Sequence, residues 1–303
     1  FMIDDEANTM AVAGDDTGAI VMERASGPRN FADPTNWTLG RLPETGDDVI
    51  IDGSSGIEYG TAQFVRVESV DTAADKLAAA KRFVDFIPNQ RIRFFAAPGA
   101  ALPSPLSTGT DYFAQSVDQI AGTFRVAATQ NGPAVDITTA GSGVFFAGVV
   151  VRTLSVFASA SEAIGLAENN ARGFRDHRNR YLRIGVTENV DIGEGTGSGS
   201  GLIRLDVGIT GPVVRVLRTG SASEAGFPAV NMLADSDALR FSVQEGSAGL
   251  AAGDDETARV ADIGIHGGDV ILGTVETVRD VLKNAGTLTA RALTVGGVFR
   301  ANG

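Results

Sequence analysis

Residues 190–237 read VDIGEGTGSGSGLIRLDVGITGPVVRVLRTGSASEAGFPAVNMLADSD, and the fold turns on this stretch. Its apolar runs at 202–207, 213–217 and 229–233 are short, rich in β-branched residues and separated by Gly, Ser, Asp and Asn. Runs of that length between turn residues are strands rather than helices. The same texture begins at 182–186 and continues through 239–243, 260–265, 270–272, 275–278, 288–293 and 298–300. The spacing pairs the strands into coils of roughly 20 residues, each burying its apolar face on its neighbours. A right-handed parallel β-helix over 152–303 is therefore expected.

Composition agrees with a folded, turn-rich chain. The 303 residues are 43% hydrophobic, enough for a sizeable core. The 38 glycines keep no three-residue period and stand beside only ten prolines, which excludes collagen and proline-glycine low complexity. Absence of cysteine removes disulfides and thiolate metal sites from consideration. The net charge is −12, and only Lys76, Lys81 and Lys283 are lysines among 25 basic residues. Nucleic acid is not an expected partner, because binding it takes a cationic stripe. Arginine instead suits carboxylate pairing at protein interfaces. No apolar run approaches membrane-spanning length, and the opening FMIDDEANTMAVAGDDTGAIVM is broken by acids, so neither insertion nor Sec export is expected.

Residues 1–30 keep no period and carry Asp4, Asp5, Glu6, Asp15 and Asp16, which reads as an extended arm, solvated or ordered on a neighbouring subunit. Residues 31–90 are read as the opening of the solenoid, with Trp37 plugging its end or packed under an ordinary loop, and a first strand at 48–51. Within it, TAADKLAAAKRFVDF at 72–86 predicts a helix, with Thr72 as cap and Leu77, Ala80, Phe83 and Val84 on one face. Residues 91–151 alternate apolar strands with turns at Pro98-Gly99, Gly109, Gly122, Gly132-Pro133 and Gly141–Gly143, which predicts a small antiparallel β-module inserted in the solenoid. SEAIGLAENNARGF at 161–174 reads as a short helix. Arg172, Arg175, Arg178, Arg180 and Arg183 follow as the one concentrated positive patch, either solvated or docked on an acidic neighbour.

Three resemblances accompany these readings. Asn36-Trp37, Leu42-Pro43, Gly46-Asp47-Asp48 and Val49-Ile50-Ile51 resemble the opening rung of bacterial and phage β-solenoid surface proteins. Leu102-Pro103, Leu106, Thr108-Gly109-Thr110-Asp111-Tyr112, Phe124-Arg125-Val126, Pro133, Asp136-Ile137-Thr138 and Gly141-Ser142-Gly143 resemble a small module that recurs in tailed-phage structural proteins; Ala114-Gln115 departs from its usual valine. The texture of 190–237 is similar to that of phage β-helical virion proteins. What the resemblance implies is a virion setting and no particular activity.

No chemical signature stands out. The glycines at 193, 195, 197, 199 and 201 never fall at i, i+2 and i+5, so the dinucleotide fingerprint is absent. Gly267-Gly268-Asp269 is one copy of what a calcium-binding repeat needs many times over. His177 and His266 lie far apart in sequence, and no Gly-x-Ser-x-Gly elbow occurs. Asp235 and Asp237 would share a strand face, with Asp254, Asp255 and Glu256 nearby, which leaves a tailspike-type glycan depolymerase as the rival reading. Aspartate is equally the ordinary turn residue between coils. The expectation is a non-enzymatic phage virion protein, a capsid decoration or cement protein or a head or tail fibre, or else a receptor-binding adhesin. It needs no cofactor or metal, assembles as a homo-oligomer with a trimer favoured, and docks on other virion proteins such as the major capsid protein. Trp37 and the five arginines are the candidate assembly interface.

Overall fold

The computed structural model describes residues 20–22, 31, 34–52, 62–79, 84–160, 164, 181–197, 202–220, 227–253 and 256–302. Among them the chain is mainly β and contains no α-helix; a single 3-10 turn, Pro34–Asn36, is the only helical element. The strands sort into two parallel sheets and one closed antiparallel barrel.

The first parallel sheet has nine strands in the order β1 (Ile20–Met22), β2 (Asp48–Ile51), β9 (Val150–Phe157), β11 (Gly185–Glu194), β13 (Val213–Val216), β15 (Arg240–Val243), β18 (Asp262–Ile265), β20 (Val281–Lys283) and β22 (Phe299–Ala301). The second has seven: β10 (Leu182–Arg183), β12 (Ile203–Asp206), β14 (Val230–Leu233), β16 (Ser247–Leu250) and β19 (Asp269–Thr277) in line, with β17 (Thr257–Val260) and β21 (Thr287–Val295) also on β19. From β11 onward the chain passes back and forth between the sheets, so hydrogen-bonded partners lie one coil apart. Val214 sits between Val190 and Phe241, and Val230 between Ile203 and Ala248.

Alternation selects which residues face inward. Val190, Ile192, Val214, Val216, Phe241, Val243, Ile263 and Ile265 of the first sheet meet Ile203, Leu205, Val230, Met232, Ala248, Leu250, Val270 and Leu272 of the second, all at 0–1% exposure. Each large side chain among them contributes about 1.5–3 kcal/mol by leaving water. Apolar side chains, most of them branched, recur at every level, so a coil presents its neighbour with an apolar surface. The coil shortens along the chain. Asp191 and Arg215 are bonded at a separation of 24 residues, whereas Asp262–Asp280 and Asp280–Val298 are 18 apart. The last coils have lost their loops.

The barrel closes in the order β3 (Phe64–Asp71), β4 (Lys76–Ala79), β7 (Thr123–Ala127), β6 (Tyr112–Asp118), β5 (Arg91–Ala96) and β8 (Phe145–Gly148). It interrupts one coil, since β2 and β9, on either side of it in sequence, pair directly with Val49 beside Leu154. Its interior holds Leu77, Phe86, Ile92, Phe94, Phe124 and Ala147, each fully buried. Phe86 meets Phe124 edge to face at 5.1 Å, and Phe94 meets Tyr112 at 5.4 Å.

The helix expected at 72–86 does not form. Asp71 Oδ1 accepts the amides of Ala73 and Ala74, Asp75 takes a left-handed φ of 54°, and the chain turns back into β4. β4 is held by β3 on one side and β7 on the other, with Leu77 and Ala79 buried at a period of 2. Pairing with two strands outweighs a helix propensity of a few tenths of a kcal/mol per residue. Residues 80–83, which completed the expected helical face, lie outside the described residues. β3 and β4 also place the start of the barrel within the stretch read as the solenoid opening.

Candidate functional site

Many charged groups of the two-sheet stack bond to the next coil. On the first sheet, Arg215 straddles Asp191, with Nε to Oδ1 at 2.5 Å and Nη2 to Oδ2 at 2.6 Å. Arg152 bonds Asp48, which also accepts Thr153 Oγ1 at 2.8 Å. Asp262 takes Arg279 at 2.5 Å and lies 3.6 Å from Arg240. On the second, Arg183 reaches Asp206 at 3.1 Å, and Arg259 bridges Asp237 at 2.5 Å and Glu276. Hydrogen bonds to Asp237 and then Glu276 raise the already high pKa of Arg259, and the hydrogen bond to Asp191 does the same for Arg215. These guanidinium ions stay charged throughout the working pH range.

A second polar line is buried. Tyr181 OH donates to Glu256 Oε1 at 2.7 Å and accepts from Asn231 Nδ2 at 3.0 Å. The other Glu256 oxygen accepts Gly253 N at 2.9 Å, and Asn231 Oδ1 accepts Ala252 N at 3.0 Å. Arg291 of β21 donates to Gly253 O at 3.3 Å. Asn231 is wholly buried and Tyr181 is 2% exposed. Beside them Arg204, also wholly buried, donates to the carbonyls of Ile203, Pro228 and Ala229. The line therefore runs from Tyr181, just before β10, to Arg291 of β21 and pins Ala252, Gly253 and Glu256 against the sheet. Sequence reasoning passed over it, although the signal was present: Asn231 and Arg204 interrupt apolar strands at Val-Asn-Met-Leu and Ile-Arg-Leu-Asp, where an unbonded polar group would be costly.

Corners are set by glycine. Gly246, Gly268 and Gly286 stack on successive coils with φ of 91°, 74° and 75°. A Cβ on Gly268 would collide with the Gly246 carbonyl, and one on Gly286 with the Gly268 carbonyl. The Gly267-Gly268-Asp269 stretch is thus a tight corner, with Asp269 Oδ1 receiving Thr287 Oγ1 at 2.5 Å. Among the described residues, no cluster of three or more His, Asp or Glu side chains could hold a metal ion, and no helix is long and apolar enough to cross a membrane.

The candidate interface residues have separate fates. Arg172, Arg175, Arg178 and Arg180 lie outside the described residues, as does the short helix read at 161–174 apart from Ile164, which bridges Ile203. Arg183 is 8% exposed and held by Asp206. Trp37 is 2% exposed, its ring edge to face with Phe31 at 5.1 Å and its Nε1 donating to Phe31 O at 3.0 Å. Of the paired carboxylates, Asp237 is bonded to Arg259, and Asp235 forms a parallel bridge with the same residue's backbone. Asp254 and Asp255 lie outside the described residues, as does His177. His266 Nδ1 faces Asn284 Nδ2 at 3.1 Å, and Asn302 extends that ladder to Asn284 Oδ1.

The first and last described coils differ in exposure. At the first coils Phe31, Trp37 and Leu42 are buried at 1–2% exposure. At the last, Val298 and Phe299 stand 47% and 48% exposed, and every residue of β22 is exposed. No protein-family model matches this chain, nor does any curated protein sequence or solved structure.

Proposed function

We propose that the chain is a non-enzymatic structural protein of a tailed-phage particle, a decoration protein or fibre that acts by self-association and by docking on other virion proteins such as the major capsid protein. In this reading the two parallel sheets are the walls of a right-handed parallel β-helix, with the barrel as an inserted docking module. The observation that carries it is the use of charge: Asp191, Asp206, Asp237 and Asp262 each bind an arginine of a neighbouring coil. Carboxylates engaged in this way stiffen a scaffold, whereas glycan cleavage requires two of them facing a substrate. The resemblance of 102–143 to a tailed-phage module supports the setting. Its quoted residues serve the barrel itself: Tyr112 OH accepts the Ser107 amide at 3.1 Å, Phe124 fills the interior, and Ile137 N donates to Asp75 at 2.8 Å.

Mass spectrometry of gradient-purified particles from the source phage tests this reading. Stoichiometric presence of the chain, together with cross-links to a capsid or tail protein, is the expected result. Absence from particles, or release of reducing sugars from host glycans that is lost in Asp237→Asn, overturns it.

A further inference from the structure

We propose that the outer face of strands β4, β7 and β6 of the barrel docks an acidic segment of a partner protein, with Lys76 and Arg125 receiving its carboxylates. The inference deepens the reading of the barrel as a docking module and rests on it. β4 and β7 pair antiparallel, with Leu77 opposite Phe124 and Ala78 opposite Thr123. One step further in the same register Lys76 stands opposite Arg125, and Gln115 of β6 flanks Arg125 on its other side. Leu77, Phe124 and Ala114 are buried in the barrel. Alternation therefore sets Lys76, Arg125 and Gln115 in one row across its outside.

Like charges directly opposite on neighbouring strands destabilise a sheet. Nothing among the described residues offsets this pair, since neither Lys76 nor Arg125 makes an ion pair or a side-chain hydrogen bond there. Asp71, opposite Lys76 on β3, turns its Oδ1 to the amides of Ala73 and Ala74 instead. Gln115 is drawn away from Arg125, its Nε2 donating to Gly132 O at 2.7 Å. Arg125 is partly exposed, yet its Nε is buried without an acceptor. Elsewhere the pattern is the reverse: Arg91 and Arg93 of β5 both meet Asp111, and Arg215 and Arg259 of the stack meet Asp191 and Asp237. Two adjacent cations on a molecule of net charge −12 are too few for a nucleic acid, whose binding rests on many neutralised phosphates. A guanidinium beside an ammonium suits one or two carboxylates. The same β6–β7 hairpin holds Ile120 88% exposed at its turn, an apolar contact on the element that carries Arg125.

Fluorescence anisotropy of labelled hexaglutamate with the whole chain, at about 50 mM salt, tests this. Lys76→Glu and Arg125→Glu should each weaken binding about tenfold or more, while Arg300→Glu, the same change of charge on β22, should leave it within about twofold. Lys76→Gln should weaken binding and also raise the melting temperature by about 1–2 °C, because it removes the repulsion. A merely structural lysine would lower it. Circular dichroism confirms that each variant is folded. No binding of hexaglutamate, equal loss in Arg300→Glu, a lower melting temperature in Lys76→Gln, or displacement by inorganic phosphate where chloride of equal ionic strength displaces nothing overturns the proposal. In particles that contain the chain, Lys76→Glu and Ile120→Asp should each reduce its amount several-fold. Undiminished incorporation would sink this surface and leave the virion reading standing, whereas hexaglutamate binding by a chain absent from particles would keep the surface and end the virion reading.

Discussion

Gly268 lies directly over Gly246 at one corner of the stack, and the Gly246 carbonyl occupies the space a Gly268 Cβ would need. Two separate penalties therefore fall on Gly268→Ala: a left-handed φ of 74° and a collision with backbone that cannot swing aside. Gly195 has a similar φ of 78° but nothing within 4 Å of its Cβ position. Gly195→Ala should cost about 1 kcal/mol from φ alone, and Gly268→Ala about 3 kcal/mol or more. Thermal unfolding of the two variants side by side measures the difference, and equal losses would mean that the corner yields.

The Asp191–Arg215 pair is the best-formed contact between coils of the first sheet. Asp191 is 10% exposed at its side chain and Arg215 44%, so the pair is half screened by water. A double-mutant cycle with Asp191→Ala and Arg215→Ala should give a coupling of about 1 kcal/mol, falling with added salt. Arg215→Lys should recover less than half of it, because an ammonium cannot bond both carboxylate oxygens at once. A coupling near zero would reduce these arginines to solvated surface.

Many strand positions in the C-terminal half were legible because short apolar runs rich in branched residues recur there between turn residues. Thus 203–206, 213–216, 230–233, 240–243 and 262–265 fall within the runs read as strands. β16, β20, all but the last residue of β17 and residues 187–194 of β11 fell outside those runs, and they owe their form to the rungs beside them. The same dependence on partners turned Lys76–Ala79 into a strand against its local helix preference. Charge was legible as abundance of arginine but not as pairing. Asp191 and Arg215 are 24 residues apart, and only the coil length brings them together. The Tyr181–Asn231–Glu256 line was least legible of all, since its members come from three separate stretches of chain.

That buried line yields its own prediction. Asn231→Leu removes the buried donor to Tyr181 OH and the buried acceptor for Ala252 N. The stranded groups should cost about 2–4 kcal/mol, more than Tyr181→Phe at about 1–2 kcal/mol, which deletes the donor to Glu256 and the acceptor for Asn231 Nδ2 but leaves Asn231 Nδ2 and Gly253 N bonded to Glu256 Oε2. Amide hydrogen exchange at Ala252 and Gly253 should accelerate in Asn231→Leu ahead of the rest of the sheet. Uniform acceleration would show that Ala252 and Gly253 are not pinned locally.

The barrel meets the stack at Gln63, whose backbone bonds to Arg183 while its buried side chain organises residues 85–90 of the barrel. Gln90 Nε2 donates to Gln63 Oε1 at 2.7 Å, Gln63 Nε2 donates to Asp85 O at 2.6 Å, and Gln63 N donates to Arg183 O at 3.0 Å across to β10. Gln63 is wholly buried and Gln90 is 2% exposed. Phe64, next in sequence, stacks on Phe146 at 5.4 Å and crowds the space beside Gly208 on the stack side. Gln63→Leu keeps the backbone bond to Arg183 and strips the side-chain bonds that hold residues 85–90 against Gln63, while the barrel interior of Ile92, Phe94 and Phe124 stays intact. Wild type should unfold in one calorimetric transition. The variant should also show one, at lower temperature and with a loss of about 2–3 kcal/mol. Two separate transitions would mean that the glutamine pair itself couples barrel and stack.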